Sequence, residues 1–328
     1  MVDGLRLAFG TLSVLPAGTP GNVDRRVAGR AMALAPLVGL VLGGIAGLVV
    51  YGAHRVKPDA PLLAAVLGVI VLMALSGVLH LDGLADSADG FGSRRDRETK
   101  LRIMKQSDIG PFGVVSIAAV LLIDVAALQA CVQNGFGWQA LLIAGVASRL
   151  TLPWSCRTSV PSARPDGLGA MVAGTVRPYA ALLLTLVATA GAATVGWLAS
   201  RSTALGWWSY SDEGSIPVGG LFSGGSSQDR AHETLSIVTG QSYPPTSRPY
   251  DSTFNYSPGN TQLAHWLGLS TLDLTILGAA IAVLAAVLLS FAATRRTRKS
   301  LGGITGDTLG ATVELALPTT LLVLAFTT

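Results

Sequence analysis

The sequence predicts an all-α integral membrane protein, a polytopic helical bundle with about seven transmembrane helices. Of its 328 residues, 50% are hydrophobic and 13% are charged, whereas a soluble domain carries about 25% charged residues. The mean hydropathy of +0.54 agrees with this prediction. Thirty-nine glycines suit closely packed membrane helices, because small residues allow two helix backbones to approach each other.

Seven apolar segments approach the roughly 20 residues that a helix needs to cross a bilayer. In chain order the predicted spans are residues 31–52, 61–80, 112–131, 138–156, 178–200, 272–293 and 308–326. The fourth span contains Arg149 and the seventh contains Glu314, so both are less apolar than the others.

The connections between these spans are alternately rich and poor in Lys and Arg. Four arginines precede the first span and six basic residues occupy the second loop, whereas the first loop has two and the third has none. Basic loops stay in the cytoplasm, so we expect a cytoplasmic amino terminus and an external carboxyl terminus. Because the net charge of +4 arises beside apolar spans, the expected partner is the lipid bilayer and not nucleic acid.

The chain divides into three predicted parts. A membrane domain over residues 1–200 is followed by a polar insertion over 201–267 and by the last two membrane helices over 268–328. The insertion is rich in Ser, Gly, Pro and Tyr and has no helical or strand period, which predicts a disordered extracytoplasmic loop. It is either a passive insertion or a loop that binds a partner.

An aspartate-rich segment, HLDGLADSADG, begins at His80 directly after the second span. The helix is expected to continue into it, and the spacing i, i+4, i+7 then places Asp82, Asp86 and Asp89 on one face. Converging carboxylates repel one another unless a cation lies between them, and oxygen ligands suit Mg²⁺ or Mn²⁺. Gly83 leaves room for a neighbouring backbone or a substrate. The pattern predicts a metal site; the alternative is a solvated helix end with incidental acids.

A glycine-rich turn, GGITGD, ends at Asp307 directly before the last span. Its glycines allow a tight turn with exposed amide groups, which suits phosphate, and Asp307 is predicted to belong to the site. Glu314 shares the helix face of Asp307, and a carboxylate inside a span usually points into a polar cavity. It is either a substrate contact or an ion-pair partner of Arg149. Further substrate contacts are predicted for Arg298, Lys299 and Thr305.

Basic side chains add further predictions. Arg94 and Lys105 lie in the loop after the aspartates, where cations would bind a phosphate ester or pyrophosphate; the alternative is that they only set topology. Arg149 lies inside a span and is predicted to bind a carboxylate or phosphate. Because all these groups face the same side, the sequence predicts phosphoryl transfer on a substrate reached from the cytoplasm.

Four motifs together resemble one known family. The strings HLDGLADSADGF, LRIMKQSDIGPFGV, ASR followed by DGLG, and LGGITGDTLGATVEL occur in this order. They are similar to the motifs of cobalamin synthase, the adenosylcobinamide-GDP ribazoletransferase of bacterial vitamin B12 assembly. The resemblance covers about residues 5–200 and 272–328, and the insertion over 201–267 has no counterpart in it.

The resemblance implies a reaction, a cofactor and a place in the cell. The ribose hydroxyl of α-ribazole, or of its 5′-phosphate, attacks the cobinamide-proximal phosphate of adenosylcobinamide-GDP, and GMP leaves. The implied setting is the bacterial inner membrane with a cytoplasmic active site, with other nucleotide-loop assembly enzymes as partners. The family requires Mg²⁺, and its implied ligands are Asp82, Asp86, Asp89 and Asp307. The implied catalytic residues are Asp82, Asp86 and His80, the last as substrate contact or proton acceptor.

Two other classes of protein compete with this interpretation. A CDP-alcohol phosphotransferase would carry its acids in one continuous motif, whereas the second acidic centre here lies more than two hundred residues from the first. A transporter would need charged groups within several spans and an inverted repeat. Only Asp124, Arg149 and Glu314 lie well inside the predicted spans.

Overall fold

The regular secondary structure of the described residues consists of helices joined by loops. The structure, a computed structural model, describes residues 2–204 and 260–328, and these residues form no β-strand, which confirms the all-α prediction. In order, the helices are α1 (Val2–Leu12), α2 (Arg25–Val56), α3 (Pro61–Leu75), α4 (Leu79–Gly92), α5 (Arg97–Ile103), α6 (Pro111–Gln133), α7 (Gly137–Ser155), α8 (Gly167–Val172), α9 (Pro178–Ala204), α10 (Asn260–Leu267), α11 (Thr271–Leu301) and α12 (Gly306–Thr327).

The described helices confirm a multi-pass membrane protein. Five of them are long and apolar enough to cross a bilayer alone, namely α2, α6, α9, α11 and α12. Helices α3 and α4 pass the same test only as a bent pair, which gives up to six spans. The remaining predicted span, 138–156, corresponds to α7, whose hydropathy does not reach that of the others. Most of α7 is buried against other helices. Its surface therefore contacts protein, whereas that of a peripheral helix contacts lipid.

The second predicted span does not continue straight into the aspartate-rich segment. Helix α3 ends at Leu75, and α4 begins at Leu79 after an 88° bend. Gly77 and Val78 adopt positive φ angles of 65° and 62° within this break, a backbone region that ends a right-handed helix. The expectation of one continuous helix over this region was wrong, and the aspartates lie on a separate helix.

Helices α2 and α7 form the closest seam of the bundle. Gly39, Gly43 and Gly47 recur every fourth residue along α2 and face the backbone of α7. A Cβ atom at position 43 would lie 2.6 Å from the carbonyl oxygen of Leu141, and one at 47 would lie 2.9 Å from that of Trp138. The seam therefore depends on glycine, as in other membrane helix pairs with small residues at this spacing.

Most of the predicted polar insertion lies outside the described residues. At its two ends, α9 extends to Ala204 and α10 begins at Asn260, so both ends of the 201–267 range are helical. Residues 205–259 are not described.

Candidate active site

Two acidic segments from distant parts of the chain meet at one cavity. Asp82 on α4 and Asp307 in the first turn of α12 both line a cavity of about 240 Å³, and His80 forms part of the same wall. Helix α4 packs extensively against α12 and also against α6. The structure therefore places Asp307 beside the aspartate-rich segment.

Gly83 permits this close approach of α4 and α12. A Cβ atom at Gly83 would lie 2.7 Å from the carbonyl oxygen of Asp307, a separation that real side chains do not reach without a backbone shift. On the opposite helix, a Cβ atom at Gly310 would lie 3.3 Å from the Cα atom of His80. The expectation that Gly83 leaves room for a neighbouring backbone is confirmed.

Asp86 lies among like charges. Its electrostatic neighbours are Asp82, Asp89 and Asp307, and the positive charge of Arg164 opposes them. Like charges this close are unfavourable unless a cation offsets them. The cluster therefore provides an electrostatic environment that favours a bound cation.

Arg164, which is not among the predicted site residues, is the cation closest to the cluster. Its Nη1 atom lies 3.8 Å from Asp307 Oδ2, and its Nη2 donates a hydrogen bond to the carbonyl oxygen of Leu101 at 2.6 Å. The loop that carries it is joined to the glycine-rich turn, because the amide of Ala163 donates to the carbonyl of Ile304 at 2.9 Å. The DGLG motif that follows Arg164 indicated that this loop matters. It did not indicate that the loop pairs with the glycine-rich turn.

Asp89 has different partners from the other aspartates. Its Oδ2 accepts a hydrogen bond from the amide of Gly110 at 2.7 Å, and its Oδ1 accepts one from the amide of Gly113 at 3.0 Å. These amides belong to the amino-terminal end of α6, where a negative charge is stabilised by the helix dipole. The IGPFG segment therefore provides the two amides that bind Asp89. Asp89 was predicted to be a metal ligand, but both of its carboxylate oxygens cap α6.

Thr305 caps helix α12. Its side chain accepts the amide proton of Thr308 at 3.2 Å, while the amide of Thr305 donates to the Thr308 hydroxyl at 2.9 Å. The Thr305 hydroxyl also lies 3.3 Å from Asp307 Oδ2. Thr305 was predicted to contact substrate, but it is buried. In the structure its hydroxyl orients Asp307.

The glycine-rich turn does not present its amides as predicted. The amide of Gly302 donates to Arg298, that of Ile304 to Pro161 and that of Thr305 to the capping hydroxyl. The expectation of a turn with exposed amides for phosphate was therefore wrong at these three positions. The turn instead pairs with the loop that carries Arg164.

His80 is buried at the cavity wall without a hydrogen-bond partner. Only 3% of its surface is exposed, and neither ring nitrogen is bonded to another described residue. The charged side chain of Arg149 is its electrostatic neighbour. His80 thus has unused hydrogen-bonding capacity at a position that lines the same cavity as Asp82.

Arg149 and Glu314 lie deeper in the bundle, away from the aspartate cavity. They share a very small internal cavity with Asp124, and both are almost fully buried, at 2% and 7% exposure. Glu314 is the electrostatic neighbour of both Arg149 and Asp124. No salt bridge joins Glu314 to Arg149 among the described residues, so these charges interact at longer range in a buried group that also contains Asp124.

The remaining predicted substrate contacts lie outside the aspartate cavity. Arg94 is exposed at the end of α4, where its φ angle is 53°, and Lys105 forms an exposed salt bridge with Asp166 at 3.4 Å. Arg298 and Lys299 line a second and larger cavity beside Gly302. No contact in the described residues joins these four side chains to the aspartates.

The aspartate cluster has the ligand type that Mg²⁺ prefers, because it offers carboxylate oxygens. Asp82 and Asp307 line one cavity, and Asp86 interacts electrostatically with both of them and with Arg164. In the described part of the chain, no group of three or more His, Cys, Asp or Glu side chains is arranged to hold a metal ion. The residues fit a hard divalent cation by charge and donor chemistry, while the side chains are not arranged as a coordination shell.

Sequence comparisons identify a single family. A family model described as cobalamin-5-phosphate synthase matches residues 4–241 and 230–325 of the chain. Three similar proteins are each named adenosylcobinamide-GDP ribazoletransferase. The protein from Frankia casuarinae is 48% identical over 59% of this chain and 72% of its own length. Those from a Nocardioides species and from Corynebacterium efficiens are 40% and 38% identical, over 62% and 61% of this chain and 87% and 72% of their own lengths.

No solved structure matches the chain significantly.

Proposed function

This chain belongs to the cobalamin-5-phosphate synthase family, and we propose that it catalyses the reaction for which its relatives are named. It is a multi-pass membrane transferase of cobalamin synthesis. In the proposed reaction, the ribose hydroxyl oxygen of α-ribazole, or of its 5′-phosphate, bonds to the cobinamide-proximal phosphorus of adenosylcobinamide-GDP. The bond from that phosphorus to the GMP oxygen breaks, GMP leaves with the electron pair, and the hydroxyl loses its proton.

The observation that carries this assignment is the meeting of Asp82 and Asp307 at one cavity. The two residues belong to the two most specific motifs of the sequence, which are separated by more than two hundred residues. The acidic residues of this site come from two separate segments, whereas a CDP-alcohol phosphotransferase would carry them in one continuous motif. The family match and this geometry together favour the ribazoletransferase over that alternative.

We propose that Asp82, Asp86 and Asp307 hold Mg²⁺, which would neutralise the diphosphate and stabilise the leaving GMP. Arg164 lies next to Asp307 and is positioned to offset charge on the same side of the site. Asp89 holds the amino-terminal end of α6 against α4, and Thr305 orients Asp307. Each of these residues keeps the charged groups in place before substrate arrives.

His80 is the proposed acceptor of the ribose proton. His80 is one of the residues that line the cavity with Asp82 and Asp307, and both ring nitrogens are without a partner among the described residues. A histidine within hydrogen-bond reach of a hydroxyl can act as a general base. Histidine therefore supplies the proton-accepting function that the aspartates, as proposed metal ligands, do not.

The proposed location is the bacterial inner membrane with the site on the cytoplasmic side. The alternation of basic and nonbasic loops supports this orientation. The cavity includes the first turn of α12, and the basic residues 295–299 lie shortly before that turn in the chain. Other enzymes of nucleotide-loop assembly remain predicted partners.

The direct test is release of GMP by the purified full-length protein supplied with Mg²⁺, adenosylcobinamide-GDP and α-ribazole. We expect turnover by the wild type and a loss on the order of 100-fold or more in Asp82→Asn and Asp307→Asn, because each variant removes a charge from the site. Asp59→Asn is the matched control, since Asp59 is an exposed loop residue paired only with Lys57. No GMP release by the wild type would overturn the proposed reaction, and full turnover in both site variants would overturn the site.

A further inference from the structure

A second cavity, distinct from the aspartate cavity, opens at the carboxyl-terminal end of α11. It has a volume of about 810 Å³, and we call it the basic cavity. Four of the side chains that line it are cationic: Arg157, Arg295, Arg298 and Lys299. The size and the charge together indicate an anionic ligand.

One wall of the basic cavity is fixed by contacts among three helices. The Arg157 guanidinium donates a hydrogen bond to the carbonyl oxygen of Trp154 at 2.7 Å and lies 4.5 Å from the centre of the Phe291 ring. The Trp154 and Phe291 rings are 4.9 Å apart, and the Trp154 indole donates to the Thr185 hydroxyl at 2.8 Å. Arg157 is therefore held in place before any ligand binds.

The positive charge in the basic cavity is not balanced by any carboxylate of residues 2–204 and 260–328. Among the described residues, no salt bridge joins any of the four cations to a carboxylate. Partial burial, together with the positive charge of Arg298, lowers the pKa of Arg157. An anion in the cavity would relieve this repulsion.

The position of the basic cavity relates it to the membrane surface. Phe291 and Ala292 belong to the apolar length of α11, and the basic residues 295–299 follow directly. A ligand in this cavity would meet hydrocarbon on one side and cations on the other, as the phosphate and glycerol region of a phospholipid does. We propose that the basic cavity binds the phosphate headgroup of an anionic phospholipid.

The lining of the cavity argues against a nucleotide as its ligand. Apart from the four cations, it is formed by Pro161, Phe291, Ala292 and Gly302. None of these offers the carboxylate, amide or hydroxyl side chain that would read the hydrogen-bonding edge of a guanine base. The exposed face of Phe291 is also already covered in part by Arg157. The cavity recognises phosphate charge and apolar surface, and this gives Arg298 and Lys299 a role other than the predicted contact with substrate.

The test is lipid binding to the full-length protein, measured by native mass spectrometry after delipidation in detergent. Short-chain phosphatidylglycerol is titrated against the wild type, with zwitterionic phosphatidylcholine, which has no net charge, as the comparison. We expect phosphatidylglycerol to bind at least about tenfold more weakly to Arg295→Gln/Arg298→Gln, because two charge-assisted contacts are lost. The double variant Arg295→Lys/Arg298→Lys, which keeps both charges, should recover most of the binding.

The matched control is Arg26→Gln/Arg102→Gln, which removes the same charge at two exposed positions outside the basic cavity. Equal weakening by this control would show binding to general surface charge and would overturn the proposal. Displacement of the lipid from the wild type by GMP or inorganic phosphate would assign the cavity to a soluble phosphate ligand and would also overturn it. Because no substrate is present, the result does not depend on the proposed enzymatic reaction.

Discussion

The surroundings of Asp89 differ from those of Asp82 and Asp307. Asp89 gives both carboxylate oxygens to the amides of Gly110 and Gly113. Asp82 and Asp307 instead line the cavity. The spacing i, i+4, i+7 in the sequence treats Asp82 and Asp89 as equivalent, because periodicity identifies a helix face without identifying what packs against it.

This division predicts that Asp89→Asn and Asp82→Asn fail in different ways. Asp89→Asn should lower the free energy of unfolding by about 1.5–3 kcal/mol, since hydrogen bonds to a charged group are weakened. The apparent affinity of this variant for Mg²⁺ should stay within about twofold of the wild-type value. Asp82→Asn should weaken Mg²⁺ about tenfold or more without lowering stability. Thermal unfolding and the Mg²⁺ dependence of GMP release measure the two effects; equal losses of Mg²⁺ affinity would contradict the division.

Some residue roles could be predicted from the sequence, and others could not. The motifs predicted that Asp82 and Asp307 belong together, and the structure places them at one cavity. The pairing of Arg164 with Asp307 depends on two loops that meet through Ala163 and Ile304. Such a contact between distant loops leaves no periodic pattern, so it could not be read from one sequence.

At the scale of the helices, small residues decide which elements touch. Gly83 allows α4 to reach Asp307, and Gly43 allows α2 to reach α7. The glycine content predicted close packing, and the spacing of Gly39, Gly43 and Gly47 was a specific signal for the α2 seam. The break between α3 and α4 also had a signal, because Ser76-Gly77 interrupts the second apolar segment.

Neighbouring glycines in α2 provide a controlled test of the seam. A methyl group at Gly43 would lie 2.6 Å from the Leu141 carbonyl oxygen, whereas one at Gly44 would meet only the end of the Leu142 side chain at 3.7 Å. Gly43→Ala should therefore destabilise the protein by about 1–3 kcal/mol through overpacking. Gly44→Ala should leave stability unchanged or raise it. Thermal unfolding in detergent measures both, and similar unfolding temperatures for the two variants would contradict the proposed seam.

Hydropathy alone undercounts the helices that build the bundle. Helix α7 carries Gln139 and Arg149 and is not sufficiently apolar to count as a span. It nevertheless packs against α2, α9, α11 and α12, so its polar side chains face protein. The order of the apolar segments was predictable, whereas the assignment of lipid-facing and interior helices required the packing.

At the scale of the whole molecule, the proposed orientation places the loop between α2 and α3 outside the cell and the loop after α4 inside. The two native cysteines, Cys131 and Cys156, are buried, so single cysteines introduced at exposed positions can report on each side. Lys57→Cys should react with a membrane-impermeant maleimide in spheroplasts, and Arg95→Cys should react only after the membrane is opened. The reverse labelling pattern would contradict the orientation and, with it, a cytoplasmic site.

The whole-molecule interpretation depends on one juxtaposition: Asp82 and Asp307, from two distant motifs, serving one divalent cation. The most direct measurement is a double-mutant cycle on Mn²⁺ binding, followed by electron paramagnetic resonance in the purified wild type, Asp82→Asn, Asp307→Asn and the double variant. Mn²⁺ takes the oxygen ligands that Mg²⁺ takes. We expect each single variant to bind Mn²⁺ about tenfold more weakly than the wild type, or weaker still. The double variant should have about the same affinity as the weaker-binding single variant, because two ligands of one ion are strongly coupled. Multiplicative losses in the double variant, or single variants that bind as the wild type does, would contradict a shared site.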